Sequence, residues 1–127
     1  MTIEHVALYT TDLERECEFF EKYFGAARSA LYHNEKTGFR SCFLTFDGGA
    51  RLEVMTRAGC AVLPHDKYTA GYAHIAVSVG GREAVATLTE RLARDGFEVA
   101  GEPRETGDGY FESVILDYEG NLIEITA

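Results

Sequence analysis

The chain has 127 residues and carries 12 basic against 21 acidic side chains, which gives a formal net charge of −9. With 46% hydrophobic and 26% charged residues it has the composition of a globular protein, predicted to form a single domain over 1–127. The charge argues against a nucleic-acid partner, because no basic cluster could neutralise phosphates, and no apolar run approaches the ~20 residues that cross a membrane.

The first half of the chain begins with the alternating segment IEHVALYT, which predicts a strand over 2–9. The next residues form a capping-box pattern with Thr11 as N-cap and Glu14 reaching back to it, and Gly25 ends the predicted helix. Three further strands are predicted, separated by segments rich in turn-forming residues, and they lie over 27–33, 39–46 and 50–56.

The second half repeats this order after a linker that contains Gly59 and Pro64. We assign module one to 1–57, the linker to 58–70 and module two to 71–127. The predicted elements of module two are a strand over 72–79, a helix from Arg82 to Asp95, and strands over 97–103, 110–117 and 121–126. The sequence therefore predicts an α+β fold built from two βαβββ modules.

The repeat also places reactive side chains at equivalent positions. His5 and His74 lie in the first strands of the two modules, 69 positions apart (74 − 5). Glu53 and Glu124 lie in the last strands, 71 positions apart (124 − 53). A duplication that repeats two imidazoles and two carboxylates, as well as apolar positions, indicates a metal site.

Alternation within these four strands predicts which way the side chains point. In each strand the face without the His or Glu is the more uniformly apolar, as with Leu52 and Val54 around Glu53. We expect that face to pack on the helices and the other face to line a cavity. The strands over 39–46 and 110–117 are partly apolar on both faces, so their orientation is left open.

Two imidazoles and two carboxylates form an N₂O₂ ligand set that suits Ni²⁺, Co²⁺, Zn²⁺, Mn²⁺ or Fe²⁺. Four protein ligands on an ion that prefers six leave two places for water or substrate oxygens, the arrangement of a Lewis-acid catalyst. The other histidines, His33 and His65, have no counterpart in the opposite half and are predicted to lie on the surface.

Three cysteines without a C-x-x-C spacing predict reduced thiols and a cytoplasmic location rather than a disulfide framework. The first strand begins at once, so we expect no signal peptide. Cys17 falls on the apolar stripe of the first predicted helix and is expected to be a core residue.

The segments GYAHIAVSV and DYEGNLIEI, with the His-Glu-His-Glu pattern, resemble the vicinal oxygen chelate superfamily and within it glyoxalase I. The resemblance covers the whole chain and implies a cupped mixed sheet with the helices on its outer face. It also implies that the sheet surrounds a metal ion bound by His5, Glu53, His74 and Glu124. It implies isomerisation of the hemithioacetal of methylglyoxal and glutathione through an enediolate, with Glu124 as the catalytic base and Glu53 as its mirror partner.

Ni²⁺ or Co²⁺ is favoured over Zn²⁺, since the chain lacks the extension and inserted loops of the zinc-activated enzymes. We also predict a homodimer, because the edge strands and open cup need cover.

The thiol-binding end departs from the family's pattern. Glutathione-binding members carry an Arg four residues after the first metal His, where this chain has Tyr9. They often carry an Asn shortly after the first Glu, where the nearest candidate is Arg57, and a basic residue before the seventh strand, for which Arg104 is a stand-in. The substrate can therefore be another α-oxo or α-hydroxy compound or another thiol adduct.

Other members of the superfamily provide the alternatives. Ring-cleaving dioxygenases and fosfomycin-type thiol transferases use His, His and Glu without a ligand at the position of Glu53. Methylmalonyl-CoA epimerase keeps four ligands with a Gln in place of one member. A non-enzymatic drug-binding protein like the bleomycin-resistance proteins would lack the ligands, so the complete set of four argues against it.

Overall fold

A computed structural model describes residues 1–64 and 68–127. Within them the chain forms nine strands and two helices. In chain order these are β1 (His5–Tyr9), α1 (Leu13–Phe24), β2 (Ala27–Arg28), β3 (Tyr32–Asn34), β4 (Phe39–Thr45), β5 (Arg51–Thr56), β6 (His74–Ser78), α2 (Arg82–Arg94), β7 (Val99–Glu105), β8 (Phe111–Leu116) and β9 (Leu122–Thr126). The helices are too short or too polar to cross a membrane.

The chain divides into two compact units, Met1–Leu63 and Pro64–Ala127, called unit one and unit two below. Each has the order βαβββ, and unit one differs only in that the predicted strand over 27–33 is split into β2 and β3. The split occurs at Ser29, whose amide still donates to the Phe43 carbonyl at 2.8 Å. The Phe43 amide, however, donates to the Ser29 hydroxyl at 2.9 Å and not to a main-chain carbonyl.

Both sheets are built on one plan. In unit one the strand order is β1-β5-β4-β2, with β3 also paired to β4, and in unit two it is β6-β9-β8-β7. The first strand of each unit pairs in parallel with the last, while the remaining pairs are antiparallel. This register sets Ala7 opposite Glu53 in unit one and Ala76 opposite Glu124 in unit two. The two glutamates therefore occupy equivalent positions in the two sheets.

One face of each sheet packs on its helix and the other is open. Leu52, Val54, Ile123 and Ile125 are buried on the helix face, which confirms the predicted orientation of the last strands. The register also orients the strands that the sequence left undetermined. Phe43 of β4 lies opposite Glu53, and Val114 of β8 lies opposite Glu124, so both belong to the open face.

The first helix begins one residue later than predicted. Asp12, in an extended conformation, is the N-cap, and its carboxylate accepts a hydrogen bond from the Arg15 amide at 3.2 Å. The capping box on Thr11 is therefore wrong, since Asp12 is the N-cap and its carboxylate accepts from a first-turn amide, that of Arg15. Gly25 ends the helix in the left-handed conformation as predicted.

The core prediction for Cys17 is confirmed, because this residue is fully buried. Burial raises the pKa of its thiol to about 12, and the neighbouring Cys42 acts in the same direction. Both thiols are free, as is that of Cys60, which is half-buried. Protonated, enclosed thiols of this kind behave as small apolar side chains.

Ion pairs connect each helix to a strand of its own unit. In unit one Arg28 of β2 donates to Glu21 at 2.5 Å and to Glu14 at 2.7 Å. The hydrogen bond from Arg28 lowers the pKa of Glu21. In unit two the arginine lies in the helix and the glutamate in the strand, because Arg82 of α2 donates to Glu105 of β7 at 2.5 Å.

Candidate functional site

Unit one brings His5 and Glu53 together on its open face. Nε2 of His5 lies 3.8 Å from Oε2 of Glu53, too far for a hydrogen bond. The imidazole is 40% exposed and the carboxylate 16% exposed, so the ring reaches solvent while the carboxylate is largely covered.

Unit two repeats this arrangement with His74 and Glu124. Nε2 of His74 lies 3.4 Å from Oε2 of Glu124, and the two side chains are 45% and 18% exposed. The parallel pairing of first and last strands produces both pairs, because it brings residues that point to the same face into adjacent rows. The sequence repeat is therefore also a repeat of geometry.

The spacing of the two donor atoms in each pair suits two adjacent ligands of one divalent ion. Imidazole nitrogens and carboxylate oxygens bind such ions at about 2.0–2.2 Å, so ligands at bond angles of 90–110° are separated by roughly 3.0–3.5 Å. The observed separations of 3.8 and 3.4 Å need at most a small side-chain adjustment to reach that range. Among the residues the structure describes, no group of three or more His, Cys, Asp or Glu side chains forms a metal cluster.

The surroundings of His5 include three further side chains. Glu4 contacts Nδ1 of His5 at 2.5 Å and also pairs with Arg51. The hydrogen bond to His5, aided by Arg51, lowers the pKa of Glu4. The Arg51 guanidinium lies 4.0 Å from the centre of the Phe43 ring, which meets the His5 ring edge-on with centres 5.4 Å apart.

The surroundings of Glu124 are different. Burial raises the pKa of its carboxyl, and the neighbouring Glu112 raises it further by its charge and by a hydrogen bond. His74 and Arg104 act in the opposite direction. Glu112 is itself paired with Arg104, whose Nη2 lies 2.9 Å from Oε1. A raised pKa makes Glu124 a stronger base than an ordinary carboxylate.

The residues predicted to bind substrate, Tyr9, Arg57 and Arg104, are not members of either His–Glu pair. Tyr9 is 48% exposed and, two strand positions from Ala7, points to the same face as His5. Arg57 is exposed just after β5, and Arg104 is held by Glu112. His33 is exposed, as predicted, and the prediction for His65 lies outside the described residues.

The side chains that contact the two His–Glu pairs were not predicted from the sequence. Glu4 precedes β1, where the alternation rule would have placed it on the opposite face from His5. Phe43 and Glu112 lie in the two strands whose faces could not be assigned. Arg51 could have been found from strand alternation alone, because it lies two positions from Glu53 on the same face.

The family model described as the Glyoxalase/Bleomycin resistance protein/Dioxygenase superfamily matches residues 2–125 of the chain. Among solved structures, a glyoxylase/bleomycin resistance protein/dioxygenase domain from Frankia sp. EAN1pec is similar with a TM-score of 0.83 and 19% identity, covering 99% of this chain and 96% of that one. Glyoxalase I from Zea mays has a TM-score of 0.79 and 21% identity, covering 98% of this chain but only 44% of the maize chain. A fosfomycin resistance protein from Listeria monocytogenes has a TM-score of 0.74 and 21% identity, covering 98% and 89%.

These similarities establish the fold, and at such identities they do not fix the reaction. No match is found among curated protein sequences. The similar solved structures include a glyoxalase I and a fosfomycin resistance protein, so the assignment of a reaction depends on this chain's own residues.

Proposed function

This chain belongs to the glyoxalase/bleomycin resistance protein/dioxygenase superfamily, and we propose that it is a metal-dependent lyase of the glyoxalase I kind. Its substrate is the hemithioacetal formed between a 2-oxoaldehyde such as methylglyoxal and a thiol. The reaction is an isomerisation, because the hydrogen on the thiol-bearing carbon moves to the neighbouring carbon and leaves an α-hydroxy thioester.

The observation that carries this proposal is the repeated His–Glu pair. His5 with Glu53 and His74 with Glu124 have matching registers, separations and exposures. The N₂O₂ set that we propose would take two donors from each unit. Thiol transferases and ring-cleaving dioxygenases of the superfamily, by resemblance, do not use a carboxylate at the position of Glu53, so its pairing with His5 favours the isomerase.

In the proposed mechanism Glu124 acts as general base. Its carboxylate removes the proton from the thiol-bearing carbon, and the electron pair of that C–H bond forms the double bond of an enediolate. The same carboxyl then returns the proton to the adjacent carbon, and the hydroxyl proton on the thiol-bearing carbon passes to the oxygen of its neighbour. The product is an isomer of the substrate, so no oxidant or co-reactant is consumed. Burial, which raises the pKa of Glu124, suits a group that accepts and returns a proton.

A bound divalent cation would stabilise, as a Lewis acid, the negative charge that develops on the enediolate oxygens. His5, Glu53, His74 and Glu124 would hold it. By family resemblance we expect Ni²⁺ or Co²⁺ to give higher turnover than Zn²⁺, although the intrinsic affinities of nickel and zinc for such ligands are close.

The thiol that this chain uses need not be glutathione. Tyr9, Arg57 and Arg104 stand where family members offer groups to glutathione, and their chemistry differs from the family's pattern. Turnover with glutathione and with other low-molecular-weight thiols, measured with the same 2-oxoaldehyde, identifies the thiol.

We propose that the protein works as a homodimer. β1 and β6 are edge strands of their sheets. Several large apolar residues are also exposed, and Tyr72 is 92% exposed. Exposed edges and apolar side chains favour association with a second copy. Sedimentation should give a dimer at micromolar concentration, and a monomer would contradict this proposal.

We place the protein in the cytoplasm. All three cysteines are free, and the pair Cys17 and Cys42 is buried in contact without forming a disulfide. Free neighbouring thiols are typical of a reducing compartment.

The decisive experiment combines metal analysis with an activity assay. Metal-free protein is loaded in turn with Ni²⁺, Co²⁺ and Zn²⁺ and supplied with methylglyoxal and each thiol. We expect stoichiometric binding and thioester formation with at least one thiol. Metal binding without thioester formation would favour another metal-dependent enzyme of the superfamily, and absence of metal binding would favour a drug-binding protein.

A further inference from the structure

We propose that Glu4, Arg51 and Phe43 form a positioning cluster for His5, which holds the imidazole with its proton on Nδ1 and turns the Nε2 lone pair toward Glu53. The proposal deepens the proposed function and rests on His5 being a metal ligand. The cluster lies entirely within unit one, so it is independent of any arrangement of the two units.

The contact between Glu4 and His5 determines the tautomer. Oε2 of Glu4 lies 2.5 Å from Nδ1 of His5, and the other oxygen of the same carboxylate receives the Arg51 guanidinium. An ionised carboxylate has acceptors only, so Nδ1 must be the donor. A neutral imidazole with its proton on Nδ1 carries its lone pair on Nε2, the atom that faces Glu53.

Arg51 and Phe43 complete the cluster. Arg51 pairs with Glu4 and stacks at 4.0 Å over the Phe43 ring, and Phe43 meets the His5 ring edge-on at an interplanar angle of 90°. The imidazole is thus contacted at Nδ1 by a carboxylate and on its side by an aromatic ring. Carboxylate partners of this kind orient ligating histidines and raise their basicity toward a metal.

Unit two lacks all three members at the equivalent positions. Leu122 lies opposite His74 as Arg51 lies opposite His5, and Val114 lies opposite Glu124 as Phe43 lies opposite Glu53. Ala73 precedes His74 where Glu4 precedes His5. His74 is therefore an internal control with the same strand geometry and none of these contacts.

The first experiment reads the tautomer in metal-free protein. Correlation spectra of ¹⁵N-labelled histidine, recorded where the rings are neutral, distinguish a proton on Nδ1 from one on Nε2. We expect His5 to be an Nδ1–H tautomer in the wild type and to lose that preference in Glu4→Ala, with no change at His74. A wild-type His5 protonated on Nε2, or no response to Glu4→Ala, would overturn the proposal.

The second experiment measures Co²⁺ affinity by titration of metal-free protein. Loss of such a carboxylate partner lowers metal affinity by about 10–100-fold, and we expect that loss in Glu4→Ala. Glu4→Gln should recover part of it, because the amide oxygen still accepts from Nδ1. Arg51→Leu and Phe43→Val, which install the residues of unit two, should give smaller losses.

Glu35→Ala is the matched control, since Glu35 is an exposed carboxylate in the turn between β3 and β4. It removes the same charge from unit one and should leave both the tautomer and the affinity unchanged. An equal loss of affinity in Glu35→Ala would show that Glu4 acts only through net charge and would overturn the positioning role. Failure of the wild type to bind Co²⁺, with the Nδ1–H tautomer present and dependent on Glu4, would support the positioning cluster while overturning the metal assignment.

Discussion

In unit one the charged neighbours of the His–Glu pair lie around the histidine, whereas in unit two they lie around the glutamate. Glu4 and Arg51 hold His5, while Glu112 and Arg104 adjoin Glu124. The backbone register and the donor separations are nearly the same in both units. Symmetry of the candidate ligands therefore does not imply symmetry of their chemistry.

This difference suggests a division of labour between the halves of a duplicated fold. A histidine held by a carboxylate is suited to fixed ligation, and a covered carboxyl beside a second carboxyl is suited to moving a proton. Under the proposed function, unit one would contribute mainly to metal binding and unit two to proton transfer. Substitution of these groups tests whether the two units differ in this way.

The largest effect is expected from removing the imidazoles. His5→Ala and His74→Ala should each lower the metal content sharply, because each removes one of the two nitrogen donors of the proposed ligand set. The double variant should bind no metal and have no activity. Metal content is measured by elemental analysis after loading and dialysis, and full occupancy of the double variant would contradict the assignment of both histidines.

Substitution of the glutamates tests whether the two units differ in chemistry. Glu124→Gln keeps an oxygen donor but cannot accept a proton, so turnover should fall by at least ~10² with near-normal metal content. Glu53→Gln should cost less turnover if Glu53 is mainly a ligand. Equal losses in the two variants would show that the mirror positions are equivalent, and retained activity in Glu124→Gln would exclude it as the base.

The ion pairs between helix and sheet give a smaller, pH-dependent effect. Arg28 lowers the pKa of Glu21 below its ordinary value of 4.5, so this pair stabilises the fold above that pH and its contribution disappears as pH falls below it. Arg28→Ala should lower the free energy of unfolding by about 1 kcal/mol near pH 7 and much less near pH 3.

Arg82→Ala is the corresponding change in unit two, where the pair with Glu105 is more than half exposed on both sides. Solvent screening should make its effect smaller than that of Arg28→Ala. Denaturant unfolding at the two pH values measures both variants. An Arg28→Ala effect that persists undiminished in acid would show that packing of the arginine, and not its charge, is responsible.

The smallest effect concerns the thiols, all of which lie in unit one. Burial raises the pKa of Cys17 to about 12, so it should resist alkylation at pH 8 in the native protein, while half-buried Cys60 reacts. Mass spectrometry after timed iodoacetamide treatment identifies the labelled residues. Rapid labelling of Cys17 would mean that unit one opens readily, and Cys60→Ser provides the background.

Much of this architecture could be predicted from the sequence, because alternation and turn residues report directly on strands and their faces. The orientation of Glu53 and Glu124 followed from the apolar residues on either side of them. The orientation of Phe43 did not, since β4 is partly apolar on both faces and only its pairing with β5 decides it. The contact of Glu4 with His5 did not either, because alternation within the predicted strand over 2–9 puts these neighbours on opposite faces, whereas β1 begins only at His5. The joint role of the four ligands stays a prediction.

The parallel pairing of first and last strands has a consequence for how each unit assembles. In the strand register His5 lies opposite a residue 46 positions away (51 − 5), and His74 opposite one 48 positions away (122 − 74). Each His–Glu pair therefore forms only when the first and last strands of its unit have paired. Contacts of such long sequence separation form slowly, because the loop-closure entropy must be met before they contribute. A metal ion that binds these pairs would stabilise the closing contact of the sheet and favour the folded chain over the unfolded one.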